Sequence, residues 1–178
     1  MLAWGAGPLD RTIYEVLYAG QRPELLATAR LFTALGNPTV LIGAGAAAAL
    51  WLWYAGHRHL PLVLVAIIVI GRGLSELQKY WIARLRPDIE PHLVLVKTSS
   101  FPSGSMIFYL TLALALTQGT RWRKPAVVAA ILMSLLIGTS RVMLGVHWPS
   151  DVIGGWAFGM LWVLLTLRLA QRMVSGAR

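Results

Sequence analysis

Five apolar stretches divide the chain: Pro38–Ala55, Leu60–Leu85, Ser103–Thr117, Pro125–Leu144 and Asp151–Ala170. Each approaches the ~20 residues a helix needs to cross a bilayer. The breaks between them carry turn and charge signals: Gly56-His57-Arg58-His59, the long segment Arg86–Pro102, Gly119-Thr120-Arg121-Trp122-Arg123-Lys124, and Gly145–Ser150. Ahead of the first stretch, Leu9–Gly20 and Glu24–Leu35 mix apolar with charged positions, a pattern that predicts helices lying in the membrane interface. A sixth span built there would have to bury Arg22, Glu24 or Arg30. The pattern therefore predicts an all-α fold, a polytopic membrane bundle of about five transmembrane helices with one or two N-terminal interfacial helices. Residues 1–36 form the interfacial part and 37–178 the transmembrane part of a single domain. Trp4, Trp51, Trp53, Trp81, Trp122 and Trp148 fall near span ends, as an aromatic belt requires.

Composition strengthens the membrane reading. Of 178 residues 57% are hydrophobic and 13% charged, against roughly 45–50% and about 25% in soluble chains. That excess of apolar surface has to face lipid. The net charge of +9 would suggest nucleic acid in a soluble protein. Here the basic residues sit mostly between apolar runs, so topology and anionic head groups account for them and a nucleic-acid partner is not expected. There are no cysteines, which excludes disulfides. Charge also sets an orientation. Arg58, Arg121, Arg123, Lys124, Arg168, Arg172 and Arg178 lie on one side, which the positive-inside rule makes cytoplasmic. The ends of spans two and four and the starts of spans three and five then share the other side.

Three groups of polar residues fall on that side. Lys79 and Arg86 are seven residues, or two helical turns, apart, so they are expected on one helix face aimed at one point. Such a pair suits a phosphate, Lys as a point charge and Arg as a two-pronged donor, although juxtamembrane cations also snorkel to head groups. Phe101-Pro102-Ser103-Gly104 opens the third span, where free N–H groups of a helix start bind anions and the Ser103 hydroxyl adds a donor. By itself that is also an ordinary capped helix start. Ser140-Arg141, His147 and Asp151 span the turn between the last two helices. An Asp four residues from a His at a helix start either caps the helix or hydrogen-bonds the ring, leaving the other nitrogen free as nucleophile or base. Arg141, one turn inside a span, needs an anionic partner. The separate bland readings give no reason for all three to converge on one face.

Lys79 with Arg86-Pro87, then Pro102-Ser103-Gly104, then Ser140-Arg141, His147 and Asp151 resemble in order and spacing the three-part signature of the type 2 phosphatidic acid phosphatase family. The resemblance covers roughly Leu60 to Asp151. It implies a membrane-bound, bacterial-like lipid phosphatase that needs no metal or other cofactor and works through a phosphohistidine. His147 would be the nucleophile and Asp151 its orienting partner; Lys79, Arg86, Ser103, Gly104 and Arg141 would hold the phosphoryl group. Expected substrates are polyprenyl pyrophosphates, phosphatidylglycerol phosphate or phosphatidic acid, met on the extracytoplasmic face of a bacterial plasma membrane. The oligomeric state is left open.

One position departs from the signature. The family carries its general-acid histidine where this chain has Ser105. A serine hydroxyl is far too weak an acid to protonate a leaving oxygen near neutral pH, and loss of a positioned acid costs roughly 10²–10⁴-fold in rate. The enzyme is thus expected to be disabled or slowed, either by a substitution made to trap it or because its lineage lacks the acid; the otherwise intact site favours the first. The alternative is a non-catalytic protein that binds or transports phospholipid phosphates. His92, in the Arg86–Pro102 loop, is a minor candidate for a substitute acid; His57 and His59 are read as solvated. The small residues around Trp156, from Gly155 to Gly159, read as helix packing.

Overall fold

The computed structural model describes residues 6–95 and 105–175, and among them the only regular elements are seven helices. They are α1 (Pro8–Leu17), α2 (Pro23–Leu35), α3 (Pro38–Tyr54), α4 (Leu60–Ile82), α5 (Ser105–Leu116), α6 (Arg123–Met143) and α7 (Pro149–Ser175). Five of them, α3 to α7, coincide with the five apolar stretches. By length and hydropathy α4, α6 and the Pro149–Leu169 part of α7 can each cross a membrane. Their outward faces carry Leu62, Val69, Ile70, Leu132, Leu161 and Leu165, all about half exposed or more. No aqueous protein leaves so much apolar area uncovered, and the bundle is an integral membrane protein.

The count of spans is less regular than the pattern suggests. α2 and α3 pass the same test only together, as one apolar element bent by 45°. Gly36 and Asn37 make the bend. The Asn37 carboxamide oxygen accepts from the Thr39 amide at 3.0 Å and Pro38 takes the first helical turn, so α3 starts anew rather than continuing α2. A Cβ at position 36 would come within 2.7 Å of Ile137 Cγ2, so glycine lets the bend press against α6. α2 itself packs along α6. α5, described over 12 residues, is the shortest of the apolar helices. It sits centrally, against α3, α4, α6 and α7.

α5 also starts part-way down the bundle. Ile107 packs at Gly71, in the middle of α4, and Met106 packs at Gly159, the eleventh residue of α7. At 1.5 Å per residue that is about 15 Å below the start of α7. Glycine at 71, 138 and 159 makes these approaches possible, because a Cβ at each would lie under 3.0 Å from a neighbouring side chain.

The end of α4 differs from the expected one. The apolar run reaches Leu85, but the helix stops at Ile82, and Ala83 adopts the left-handed conformation with φ 46°. Its amide still closes onto the Lys79 carbonyl at 2.9 Å. Such a residue costs of order 1–3 kcal/mol and persists only where the surroundings enforce it. What enforces it is the next residue: the reversal turns Arg84 into the bundle, where it is 8% exposed. Lys79 and Arg86 are therefore not two turns apart on one helix; a turn and four further residues carry Arg86 to its place.

The close helix approaches give a direct test of the packing. In Gly138→Val the new methyls meet Val152 Cγ1 and the Trp156 ring, where a Cβ alone would already lie at 2.5 and 2.7 Å. Overpacking of this kind costs about 1–3 kcal/mol. The thermal unfolding midpoint in detergent should fall; an unchanged midpoint would mean that α6 and α7 do not meet at Gly138.

Candidate active site

The α6–α7 turn supplies the centre of the site. Gly145, at φ 78°, and hydrogen bonds donated by the Val146 amide to the Arg141 carbonyl and by the Gly145 amide to that of Val142 reverse the chain after α6. Val146 is fully buried, and His147 follows at 8% exposure. Pro149 then begins α7. Asp151, with no exposed surface, stands in its first turn.

Asp151 does two jobs: it caps its helix, one of the two expected readings, and it pairs with Arg84, which was not expected. One carboxylate oxygen accepts the Trp148 amide at 2.9 Å, capping α7. The other accepts an Arg84 guanidinium N–H at 2.6 Å. His147 Nδ1 lies 3.8 Å from the capping oxygen, beyond hydrogen-bond length, and is buried without a partner among the described residues. The expected His147–Asp151 pair is thus in register but about 1 Å too long, because Asp151 is committed to the cap and to Arg84.

Arg84 extends the network to the first helix. Its second terminal nitrogen donates to an Asp10 oxygen at 2.7 Å, and Ser150 Oγ accepts from the first at 2.7 Å. Asp10 also accepts the Ser150 amide at 2.9 Å and the Ser150 hydroxyl at 2.5 Å. Burial pushes the Asp10 carboxyl up, but the two Ser150 bonds and Arg84 outweigh it and hold the group below its usual range. Neither Asp10 nor Arg84 stood out in the sequence. Asp10 is one acid in a mixed helix, and Arg84 falls inside the apolar stretch Leu60–Leu85.

Two other cations meet His147. Arg86 donates to the Val146 carbonyl, and Arg141, from the last turn of α6, reaches Gly36 at the α2–α3 bend. Arg86 and Arg141 repel each other, and burial together with that repulsion holds Arg86 below its usual value. Both act on His147, whose imidazole is pushed down to about 4: burial is the largest cause, the two cations add to it, and Asp151 opposes it. The ring is therefore neutral at pH 7. Trp148 packs against Tyr14 in the neighbouring apolar cluster, and its indole donates to the Leu85 carbonyl at 3.1 Å, which ties the α4–α5 segment to the turn.

The remaining sequence candidates are placed less completely. Lys79 pairs along its own helix with Glu76 at 2.9 Å, and Glu76 in turn lies 3.6 Å from Arg72. Ser105 begins α5, while Ser103 and Gly104 lie outside the described residues. His92 uses Nε2 to donate to the Pro87 carbonyl at 2.7 Å, a bond that braces its own loop. The described residues hold no cluster of three or more metal-ligating side chains.

These features define a class. Residues 60–174 match the PAP2 superfamily, and the chain belongs to it. It is 37% identical over 105 residues to phosphatidylglycerophosphatase B of Bacillus subtilis, covering 53% of this chain and 51% of that protein. It is also 37% identical over 97 residues to an undecaprenyl-diphosphatase of Sulfolobus acidocaldarius, covering 51% and 46%. The chain thus spans about half the length of these curated relatives. Among solved structures, the transmembrane PAP2-type phosphatidylglycerolphosphate phosphatase of Bacillus subtilis superposes with a TM-score of 0.84 at 27% identity, over 92% of this chain and 85% of that one. The family expected from the three motifs is the family found.

The depressed His147 gives a test with a definite sign. The folded ring takes a proton only near pH 4, whereas the unfolded chain takes it at about 6.5. Between those values the unfolded state binds more protons, so stability falls as pH drops from 6.5 toward 4 and is indifferent to this group above 6.5. Denaturant melts of the wild type and His147→Gln should diverge in that window. Parallel pH dependences would show that His147 is not buried as a neutral ring.

Proposed function

We propose that this chain is a lipid phosphate and pyrophosphate phosphatase working through a phosphohistidine on His147. The observation that carries the reading is the meeting of Arg86 and Arg141 at a buried, neutral imidazole. Two mutually repelling cations beside a nucleophile are stabilised by an anion between them, and a phosphoryl group is an anion that the nucleophile can attack. Family membership and the names of the relatives agree with it.

In this reading His147 Nε2 attacks phosphorus as the phosphorus–oxygen bond to the lipid breaks and the lipid leaves with that oxygen, while Nδ1 keeps its proton and turns to the Asp151 carboxylate, closing the 3.8 Å gap as the ring becomes cationic. Lys79, Arg86 and Arg141, with the amides and hydroxyl at Ser103 and Gly104, take the charge of the equatorial oxygens. Lys79 exchanges Glu76 for the phosphate to do so. Water then cleaves the phosphorus–nitrogen bond, releases inorganic phosphate and restores the neutral ring. This scheme gives charge stabilisation to side chains and helix-start amides and assigns none to a metal or cofactor. The site faces away from the cytoplasm, since the opposite loops hold Arg58, Arg121, Arg123 and Lys124. A bacterial plasma membrane fits that topology. Residues 1–36 act as an N-terminal accessory to the catalytic 37–178.

Substrates are lipids whose head group reaches the site from the outer interface: a polyprenyl pyrophosphate, phosphatidylglycerol phosphate or phosphatidic acid. Ser105 ranks them. Without a general acid the leaving group must depart unprotonated, and a phosphate monoester leaves far more readily than a lipid alkoxide. The second reading, a phosphate-lipid binder without turnover, is favoured by Ser105 alone.

Phosphate release from a polyprenyl pyrophosphate and from phosphatidic acid, by this chain and its Ser105→His form side by side, tests the proposal. Restored histidine should raise turnover of the monoester by roughly 10²–10⁴-fold and that of the pyrophosphate by less. If neither form releases phosphate from either lipid, the binding protein is the better description.

A further inference from the structure

The Arg84 network reaches beyond the residues that the family signature names. Asp10 lies fifty residues ahead of the matched segment 60–174, yet it is as buried as Arg84 and contacts both Arg84 and Ser150. A structural salt bridge needs one carboxylate per guanidinium; this one has two, from the first and last helices. The arithmetic of charge gives the second carboxylate a purpose. Asp151 with Arg84 alone is a neutral pair, and a neutral pair does little to stabilise an imidazole that becomes cationic as it attacks. Two carboxylates sharing one guanidinium carry a net charge of −1, and the oxygen of Asp151 not bonded to Arg84 is the one 3.8 Å from His147 Nδ1.

Resting on the phosphatase reading, we infer that Asp10 is a positioning residue for the reaction: it divides the Arg84 charge, so that Asp151 stays anionic toward His147, and it locks α1 over the site. Among the described residues the other charged groups acting on His147 are Arg86, from the segment after α4, and Arg141, from α6. Both are cations that oppose its protonation, so the Asp151–Arg84–Asp10 cluster is the counterweight to them. Tyr14, four residues after Asp10 on α1, packs with Tyr18 and Trp148 and seats the helix.

The alternative is that Asp10 only holds α1 down. The two roles separate in the titration of His147, followed by ring nitrogen signals of ¹⁵N-histidine-labelled protein in detergent from about pH 7.5 down to about pH 2.5, with His147→Gln identifying the signal among four histidines. Asp10→Asn removes the charge and keeps the shape. It should move the His147 midpoint down by at least about half a unit, a threefold change in the protonation constant. Asp10→Glu, which keeps the charge, should restore it. Ser150→Ala, which removes a hydrogen bond without changing charge, should leave it near the wild-type value and covers the case in which Asp10→Asn fails to fold. An unmoved midpoint in a folded Asp10→Asn, or equal shifts in Asp10→Glu and Ser150→Ala, overturns the inference. Turnover in the Ser105→His background forms a separate arm. There Asp10→Asn should lower kcat by roughly tenfold, the lower end of what losing an outer partner of a working imidazole costs. It should leave KM within about twofold, because Asp10 meets no substrate. If the parent of that series has no turnover while the titration shifts as stated, it is the phosphatase reading that fails and the electrostatic inference that stands.

Discussion

One buried guanidinium organises this end of the bundle. Arg84 is reached only because α4 breaks at Ala83, and it holds carboxylates from α1 and α7 that would otherwise be isolated charges out of water. Removing one partner of such a cluster costs about 3–5 kcal/mol, since the remaining charge stays buried without compensation. A hydrophobic trio of the same volume would hold three helices together equally well. What it would lack is an anion at a fixed distance from His147. The network makes best sense as an arrangement that spends stability on charge placement.

The same constraint explains the fine geometry. Asp151 cannot approach His147 more closely at rest, because one oxygen caps α7 and the other is held by Arg84. The ring stays neutral in a pocket made unfavourable for protonation by burial, Arg86 and Arg141. In the proposed reaction a ring in that state attacks without prior loss of a proton, and the carboxylate is drawn in as positive charge develops. Electrostatic preorganisation of this kind acts where charge appears rather than where it already is. Arg141 adds a connection in the other direction, since its guanidinium lies at the Gly36 bend and links the site to the α2–α3 element.

Much of this was legible in the sequence. Apolar runs of near-bilayer length gave α3, α4, α6 and α7 to within a few residues, because lipid imposes length and composition on a helix more strictly than a soluble core does. The residues of the α6–α7 turn were legible for a different reason: Arg141, His147 and Asp151 are polar groups where polarity is expensive. Legibility ended where tertiary charge pairing overrode local pattern. Leu85 continues an apolar run, so nothing marks Ile82 as the end of α4, and Arg84 reads as one more interfacial cation. Asp10 lies 74 residues from its partner in a helix of mixed character. The α2–α3 bend depends on Gly36 fitting against Ile137, a contact that no spacing reports. The His147–Asp151 distance depends on what else Asp151 binds.

The central claim is that His147 carries the phosphoryl group. Protein mixed with a polyprenyl pyrophosphate labelled in its terminal phosphate, quenched in alkali within the first turnover and digested, reports this directly by mass spectrometry. The account predicts label on the peptide bearing His147, stable to alkali and lost in acid, and absent from His147→Gln. Phosphate release without any labelled peptide, or turnover that survives in His147→Gln, would contradict it.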